Sequence, residues 1–237
     1  MENKSVSIGN RVLPVQRPAR SLIEKFQGLP SSNIGDIMNR LYCLRGLRPM
    51  NSNPLCGCAF TVKVPQGDNL MIHYALDLAQ PGDIICVDGE GDIEHALAGE
   101  MMLNHAVKRG IGGWVIDGSL RDSNALRKAT IPIFCRNITP QGPYKNGPGE
   151  INVPISCGGQ VVFPGDILIG DDDGVVVVRP HQADTIASMA REKFDKEQQR
   201  LLGKTSASRD WVFDAICRCG TAFQDLEEDT DDSPYKY

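Results

Sequence analysis

The sequence predicts a mixed α/β domain built in layers from helices and short strands. Apolar stripes at helical spacing and short apolar runs typical of buried strands alternate through residues 60–135. Further strands, separated by glycine and proline turns, cluster in residues 151–178. Because each element must bury its apolar face against another, this alternation favours a layered α/β domain.

The N-terminal part contains an arm, one helix and one strand. Residues 1–20, with Pro14 and Pro18, have the character of a loosely structured arm. Ser32 is the candidate N-cap of the first helix. The apolar stripe of that helix falls at i, i+3, i+4 and i+7, namely Ile34, Ile37, Met38 and Leu41. Residues 58–64 alternate in the manner of a strand.

The middle of the chain alternates between helices and buried strands. A helix is predicted over residues 70–79, capped by Asp68 and ended by the turn at Pro81. A second helix over residues 100–109 is closed by Gly110. The continuous apolar runs typical of strands covered on both faces lie at residues 83–88, 113–118 and 131–135.

The C-terminal third adds two strands and a long charged helix. Turns at Pro164–Asp166 and Asp171–Gly174 lead into short apolar strands. Residues 182–202 form the helix, and residues 224–237 are acidic and poor in apolar side chains, as in a solvated tail. The predicted organisation is therefore an arm (1–20), a single domain (21–203) and a C-terminal extension (204–237).

Bulk composition excludes several classes of protein. The 237 residues suffice for one domain with a sizeable core, and 41% of them are hydrophobic. A formal charge of −5 argues against nucleic acid as the main partner. The chain has no strand–GxGxxG–helix start and no Walker loop, which disfavours NAD, ATP and S-adenosylmethionine as ligands. No apolar run has the length of a membrane span or the pattern of a signal peptide.

The eight cysteines indicate free thiols in a reducing cytoplasm, because several lie within apolar runs. The Cys56/Cys58 and Cys217/Cys219 pairs leave zinc as an alternative. Their spacing is tighter than the usual C-x2-C motif, and no histidine-rich partner set accompanies them.

The residues best suited to binding or catalysis lie between Gly99 and Asp122. Glu100 opens a helix whose first N–H groups lack intrahelical partners and therefore favour an anion. Arg121 and Asp122 follow the next strand. A ten-residue helix spans about 15 Å and a five-residue strand about 16 Å, so the two elements return the chain to the same edge. Glu100, Arg121 and Asp122 are thus predicted to meet there.

This set suits divalent-metal chemistry on a 2-oxo acid. One or two carboxylates can hold Mg²⁺ or Mn²⁺ through oxygen and leave positions for water and substrate. Arg121 and the metal would then stabilise negative charge on the keto oxygen as it becomes an enolate. Decarboxylation of oxaloacetate and aldol cleavage both require this electron sink. The alternative is that Arg121 and Asp122 form an ordinary surface pair, and that Glu100 only complements a helix dipole.

The stretch GEMMLNHAVKRGIGGWVIDGSLRD, residues 99–122, closely resembles the signature of the RraA-like family. Further segments resemble that family in the same order, over residues 31–180: SSNIGDIM, GCAFTVKVPQGDN, PGDIICVDG, PISCGGQVVFPGD and GDDDGVVVVRP. The family includes 4-hydroxy-4-methyl-2-oxoglutarate aldolases, which also decarboxylate oxaloacetate, and regulators of ribonuclease E activity. The resemblance implies a three-layer α/β/β fold of the swivelling-domain type, which assembles as trimers or paired trimers with sites between subunits.

The resemblance also implies roles for individual residues. Asp122 corresponds to the direct metal ligand, and Glu100 to an acidic residue that reaches the metal through water and orients a water that acts as base. Arg121 corresponds to the arginine on the keto oxygen. The substrate carboxylate is expected at the backbone beside Gly99, on the amides of Met101 and Met102.

Two further assignments concern the periphery of the site. Asn69 resembles a residue that contacts the outer part of the substrate. Glu197 lies about where a neighbouring subunit contributes a carboxylate to the water shell of the metal, and Glu192 is an alternative at similar spacing. Ala125 departs from the pattern, because some members carry a carboxylate there. The chain beyond Gly203 has no recognised counterpart.

The expected activity is therefore a metal-dependent lyase that releases pyruvate from 2-oxo acids. A regulator that binds an RNA-processing enzyme such as ribonuclease E is the alternative, and its acidic surface could pair with a basic partner segment. Methyl transfer to a quinone, a name attached to some similar sequences, is disfavoured because no methyl-donor nucleotide site is present in the sequence.

Overall fold

The structure, a computed structural model, describes residues 9–204 and 209–220. The described strands are β1 (Arg11–Val12), β2 (Arg48–Pro49), β3 (Leu55–Lys63), β4 (Asp83–Ala98), β5 (Gly113–Leu120), β6 (Ile133–Ile138), β7 (Glu150–Ile151), β8 (Ile155–Cys157), β9 (Gln160–Val162), β10 (Ile167–Asp171) and β11 (Gly174–Val178). The described helices are α1 (Arg20–Glu24), α2 (Ser31–Ile37), α3 (Leu70–Leu78), α4 (Glu100–Lys108), α5 (Ser123–Arg127), α6 (Ala183–Leu201) and α7 (Asp210–Arg218).

A mixed sheet forms the centre, in the order β1-β7-β3-β4-β5-β6-β2. Strands β3, β4, β5 and β6 are parallel to one another, while β10 pairs antiparallel with both β3 and β11. Parallel neighbours require crossover connections, which α3 provides between β3 and β4, and α4 between β4 and β5. The carboxyl ends of the central strands therefore share one edge of the sheet.

Three clusters of buried apolar side chains hold the layers together. The first joins α3, α4 and α5 to one face of the parallel strands. The second lies between the opposite face and the strands β8 to β11. The third packs α1, α2 and the start of α6 against β10 and β11. Strand β4 is buried on both faces, with Ile84, Ile85, Cys86 and Val87 all inaccessible to solvent. The predicted mixed α/β class is confirmed.

Helix α2, the first predicted helix, differs from its prediction at both ends. It begins at Ser31, and Ser32 is not its N-cap. Asp171 instead supplies the cap, because its two carboxylate oxygens accept hydrogen bonds from the backbone N–H (2.7 Å) and the hydroxyl (2.6 Å) of Ser31. The helix ends before Leu41, which is exposed, because two intervening residues adopt positive φ. The predicted stripe was one turn too long.

The predicted arm and the second strand are more ordered than expected. Arg11–Val12 pairs in parallel with β7, and Arg17 donates from Nε and Nη2 to the buried carboxylate of Asp83 at 2.9 and 2.6 Å. The prediction of a loosely structured arm is wrong for these residues. Strand β4 continues ten residues past its predicted end, because it passes through irregular pairing with β5 at Glu90 and Gly91, both of positive φ.

The chain divides into two compact units, Met1–Asp195 and Lys196–Tyr237. The second unit contains the end of α6 and all of α7, an unpredicted helix that exposes Trp211 and Phe213. The predicted acidic tail lies outside the described residues. The limits of the predicted arm, domain and extension stay predictions. Within the described ranges, no helix combines the length and apolar character needed to cross a membrane.

Candidate active site

The candidate site lies where three adjacent parallel strands end. Ala98 of β4 is in register with Leu120 of β5, which is in register with Ile138 of β6. Hydrogen bonds continue the alignment one residue further, since Arg121 N–H donates to the Ala98 carbonyl and Thr139 N–H donates to the Leu120 carbonyl, both at 3.0 Å. The carboxyl edge of a parallel sheet is the usual location of ligand sites in α/β folds.

The start of α4 is capped by a residue from the next strand connection. Gly99 occupies the N-cap position without a side chain, and the backbone N–H of Glu100 donates to Oδ2 of Asp122 at 2.9 Å. A β carbon on Gly99 would lie 2.4 Å from that oxygen, which no real contact tolerates. Glycine at this position therefore allows the Asp122 carboxylate to reach the helix N-terminus.

Asp122 has a strained backbone and a partly unengaged carboxylate. Its φ of 61° and ψ of 43° lie in the left-handed region, which costs roughly 1–2 kcal/mol for most residues and is visited mainly by Gly, Asn and Asp. Oδ2 serves the helix cap, whereas Oδ1 accepts no hydrogen bond from any described residue. The side chain is 44% exposed, so Oδ1 is accessible to a ligand.

Arg121 is surrounded by neighbouring groups, but its guanidinium forms no hydrogen bond with them. Its Nε lies 3.9 Å from Oδ2 of Asp122, too far for a hydrogen bond. A β carbon on Gly99 would approach its Cγ to 2.8 Å, and one on Gly142 would approach Nη1 to 3.2 Å. The side chain thus passes between two glycines and keeps its guanidinium donors available, since it forms no hydrogen bond with the described residues.

An open cleft of about 760 Å³ surrounds these groups. The structure brings Glu100, Arg121 and Asp122 together in its wall, at the meeting point that the chain lengths predicted. Sequence reasoning missed the other wall, which comes from α5 and from the end of β6. The lining residues are Glu100, Arg121, Asp122, Ser123, Asn124, Ala125, Lys128, Ile138, Thr139 and Pro140.

The remaining predicted residues are distributed around the cleft. Met101 is 82% exposed in the first turn of α4, while Met102 is buried. Asn69 does not line the cleft: it is buried, and its side-chain amide donates to the Leu97 carbonyl at 2.8 Å. Glu197 lies on α6 in the second compact unit. The functional roles of all these residues stay predictions.

The donors present fit a hard divalent cation. No group of three His, Cys, Asp or Glu side chains within the described residues is arranged to hold a metal on its own. Asp122 Oδ1 provides one accessible carboxylate oxygen, and Mg²⁺ commonly binds through one or two carboxylates while keeping several waters. The open cleft has room for those waters. Oxygen ligation of this kind suits Mg²⁺ or Mn²⁺ rather than a thiolate-seeking metal.

Within the described residues, the cysteines and histidines belong to no group that could hold a metal ion. Burial raises the pKa of the Cys56 thiol to about 11 and that of Cys58 to about 12, which disfavours the thiolate that zinc requires. All eight cysteines are free. His95 is hydrogen-bonded to Asp92 at 2.9 Å, and His105 to Asp77 at 2.8 Å.

Comparison with known proteins identifies the family. The family model described as "RraA-like: Aldolase/RraA" matches residues 31–177, which include every residue that lines the cleft. The chain belongs to the RraA-like family. A curated relative from Halalkalibacterium halodurans is 41% identical over 180 residues, covering 75% of this chain and 86% of its own. Its name is "Putative 4-hydroxy-4-methyl-2-oxoglutarate aldolase".

Solved structures of RraA-like proteins share the fold. Streptomyces coelicolor RraAS2, described as an unusual member of the RNase ES inhibitor RraA protein family, superposes with a TM-score of 0.68 at 27% identity, covering 81% of this chain and all of its own. The RNA-processing inhibitor RraA from Thermus thermophilis gives a TM-score of 0.58 at 27% identity, covering 62% and 91% respectively.

Proposed function

We propose that this RraA-like protein is a divalent-metal-dependent lyase that cleaves a carbon–carbon bond in small 2-oxo acids and releases pyruvate. Its substrates are of the 4-hydroxy-4-methyl-2-oxoglutarate type, oxaloacetate, or both. The observation that carries the proposal is the convergence of Asp122 Oδ1, the Arg121 guanidinium and the N-terminus of α4 at one strand edge. The name of the Halalkalibacterium halodurans relative supports the aldolase class.

The N-terminus of α4 supplies the binding site for the substrate carboxylate. The first N–H groups of a helix have no intrahelical acceptors, and the helix dipole adds partial positive charge. Asp122 already occupies the N–H of Glu100. The amides of Met101 and Met102 follow in the same turn and are proposed to bind the substrate carboxylate beside Gly99.

Arg121 stabilises the negative charge that bond cleavage places on the keto oxygen. In aldol cleavage the hydroxyl proton leaves, the C–C bond breaks, and its electrons move through the adjacent carbon onto the keto oxygen. In decarboxylation CO₂ departs and leaves the same enolate. The guanidinium donates hydrogen bonds to that oxygen as its charge develops, which stabilises the transition state more than the ground state. Protonation of the enolate carbon then gives pyruvate.

Glu100 accepts the proton that aldol cleavage releases, either directly or through one water. Glu100 lines the same cleft as Arg121 and Asp122. A carboxylate positioned within reach of the substrate hydroxyl, directly or through one water, acts as general base. A bound Mg²⁺ or Mn²⁺, held by Asp122, would add Lewis-acid stabilisation of the negative charge on the keto oxygen.

The proposal extends to assembly. We infer a homotrimer or a dimer of trimers, in which Glu197 of a neighbouring copy contributes to the water shell around the metal. Both inferences rest on the family resemblance, with Glu192 as the alternative residue.

The metal dependence gives the first expected result. Wild-type protein with Mg²⁺ or Mn²⁺ should release pyruvate from oxaloacetate and from 4-hydroxy-4-methyl-2-oxoglutarate, as followed by a coupled lactate dehydrogenase assay. EDTA should lower the rate to the uncatalysed background, and added Mn²⁺ should restore it. Activity that survives exhaustive chelation, or no pyruvate above background from any 2-oxo acid tested, would contradict the proposal.

A second candidate function is regulation of an RNA-processing enzyme. It is favoured by the likeness to one RraA described as an RNA-processing inhibitor and to another described as an unusual member of the RNase ES inhibitor RraA protein family. Under this alternative, the immobilised protein would retain purified ribonuclease E and lower its cleavage of a model RNA, with no metal-dependent lyase activity. We expect the opposite pattern: pyruvate release, and RNA cleavage unchanged at micromolar concentrations of this protein. Inhibition together with a silent lyase assay would favour the regulator.

A further inference from the structure

Two thiols of helix α7 are set apart from the other cysteines by their exposure. Cys217 lies in the last turn of α7 and Cys219 is its C-cap residue, and both are exposed free thiols. The other six cysteines are buried or half-buried. The pair lies outside the segment that matches the RraA-like family model, which ends at residue 177, and the proposed lyase chemistry does not use it.

Exposure and burial determine which cysteines can react with a dissolved disulfide. Thiol–disulfide exchange requires a thiolate that reaches the attacked sulfur directly. Burial raises the pKa of the Cys58 and Cys135 thiols to about 12 and that of Cys56 to about 11, so these thiols carry little thiolate at neutral pH. Exchange is therefore favoured at Cys217 and Cys219.

The spacing of the two thiols permits a disulfide only if the end of α7 unwinds. Residues two apart in a helix have Cα atoms about 5.4 Å apart, which lies within the range that disulfides span. Their side chains do not face each other, however. Cys219 is still close to helical, with φ of −78° and ψ of 3°, and Gly220 adopts a φ of 70° directly after it.

The turn that must unwind lies at the end of a short helix. Helix α7 has nine residues, and helices of fewer than about 12 residues are marginal on their own. Terminal turns open with free energies near zero. The N–H of Cys219 donates to the carbonyls of Ala215 and Ile216 at 3.2 Å, and that of Gly220 to Cys217 at 3.0 Å. A disulfide would replace these hydrogen bonds.

A structural zinc ion is a weaker explanation for the pair. Such an ion takes four ligands, and two thiols supply half of them. Within residues 9–204 and 209–220, no group of three or more His, Cys, Asp or Glu side chains is arranged to hold a metal ion. A disulfide requires only the two thiols that are present.

We propose that Cys217 and Cys219 form a reversible disulfide by exchange with a low-molecular-weight disulfide, and that its formation unwinds the last turn of α7. One thiolate attacks the dissolved disulfide, which gives a mixed disulfide and releases one small thiol. The other thiolate attacks the protein sulfur of the mixed disulfide and releases the second small thiol. The dissolved disulfide thus takes up two electrons and two protons from the protein. Exposed disulfides of this kind are the labile ones, which suits a transient redox site.

The test is equilibration of the full-length protein with oxidised and reduced glutathione, followed by acid quenching, alkylation and digestion. Trypsin cleaves after Arg218, between the two cysteines, so a disulfide holds peptides 210–218 and 219–236 together until it is reduced. With reduced glutathione at about 0.1 mM, the linked peptides should exceed the mixed disulfides about tenfold, because a nearby thiol has an effective concentration of roughly 1 mM. Dithiothreitol should restore both thiols.

Single-thiol variants provide the matched controls. Cys217→Ser and Cys219→Ser should each stop at a mixed disulfide on the remaining thiol. Cys43→Ser, at a half-buried cysteine, should form the linked peptides as wild type does. Four results in wild type would overturn the proposal: persistent mixed disulfides, disulfides between two chains, earlier oxidation of a buried cysteine, or two thiols that stay reduced.

Backbone ¹³Cα chemical shifts of residues 215–219 report the end of α7 separately. They should have helical values in the reduced protein and move to coil values when the disulfide forms. Cys219→Ser carrying a mixed disulfide should keep the helical values, since it has no ring to close. Helical values retained in the oxidised wild type would overturn the unwinding. None of these measurements depends on pyruvate release, so this inference and the proposed lyase function are tested separately.

Discussion

Asp122→Asn is expected to abolish specific Mn²⁺ binding and to lower pyruvate release by more than a hundredfold. Changing residues that merely support a metal ligand typically costs about 10–100-fold, so removing the charge of the direct ligand should cost more. Asparagine tolerates the left-handed backbone of this position almost as well as aspartate does. Its side-chain oxygen can still accept the hydrogen bond from the Glu100 N–H. The variant therefore isolates the charge from the fold.

The comparison needs a matched aspartate elsewhere. Asp172→Asn, in the exposed turn between β10 and β11, should bind Mn²⁺ and release pyruvate at wild-type levels. Mn²⁺ binding would be measured by electron paramagnetic resonance, and folding by far-ultraviolet circular dichroism. If Asp122→Asn binds Mn²⁺ with wild-type affinity and turns over normally, the metal site has been assigned to the wrong residue.

The central part of the site was predictable because its elements are local and regular. Helix α4 begins at Glu100, where the sequence pattern placed it. The length argument correctly brought Arg121 and Asp122 back to that helix end. The structure gives a more specific cause, the register that sets Ala98 opposite Leu120 in neighbouring parallel strands. Local periodicity identifies helices and strands, but pairing register depends on the whole sheet.

Other features depended on contacts that no local pattern reveals. The role of Asn69 in contacting the substrate stays a prediction, and its buried side-chain amide donates to the Leu97 carbonyl. Asp171 caps a helix 140 residues away in sequence, so the nearby Ser32 was chosen wrongly. Thr139 and Pro140 enter the cleft only because β6 lies beside β5. The helix cap and the far wall of the cleft were both missed because each depends on contacts between residues that are distant in the sequence.

Gly99 shows how a residue without a side chain can determine a site. The sequence marked it only as the residue before a helix. In the structure it lets a carboxylate and a guanidinium approach the same helix N-terminus, where a β carbon would lie 2.4 Å from Asp122 Oδ2 and 2.8 Å from Arg121 Cγ. The acidic and basic groups are consequently placed side by side with little direct pairing between them. That arrangement leaves both available to a ligand.

Arg121→Ala is expected to lower kcat for pyruvate release by about two to three orders of magnitude, the usual cost of losing a group that stabilises a developing oxyanion. Mn²⁺ binding should persist, because Asp122 keeps both its helix cap and its accessible oxygen. Retained metal binding with lost turnover distinguishes this variant from Asp122→Asn. Arg121→Lys should recover only part of the rate, since an ammonium group carries the charge but lacks the planar fork of donors.

The matched control is Arg127→Ala, an exposed arginine at the end of α5 that does not line the cleft, and it should retain wild-type kcat. Single-turnover measurements would show whether the loss in Arg121→Ala lies in bond cleavage or in pyruvate release. The guanidinium lies beside Gly142 with its Nε 3.9 Å from Asp122 Oδ2, and it forms no hydrogen bond with the described residues. Its donors are therefore available to an oxyanion as its charge develops, so a kcat unchanged by its removal would place the electron sink elsewhere in the molecule.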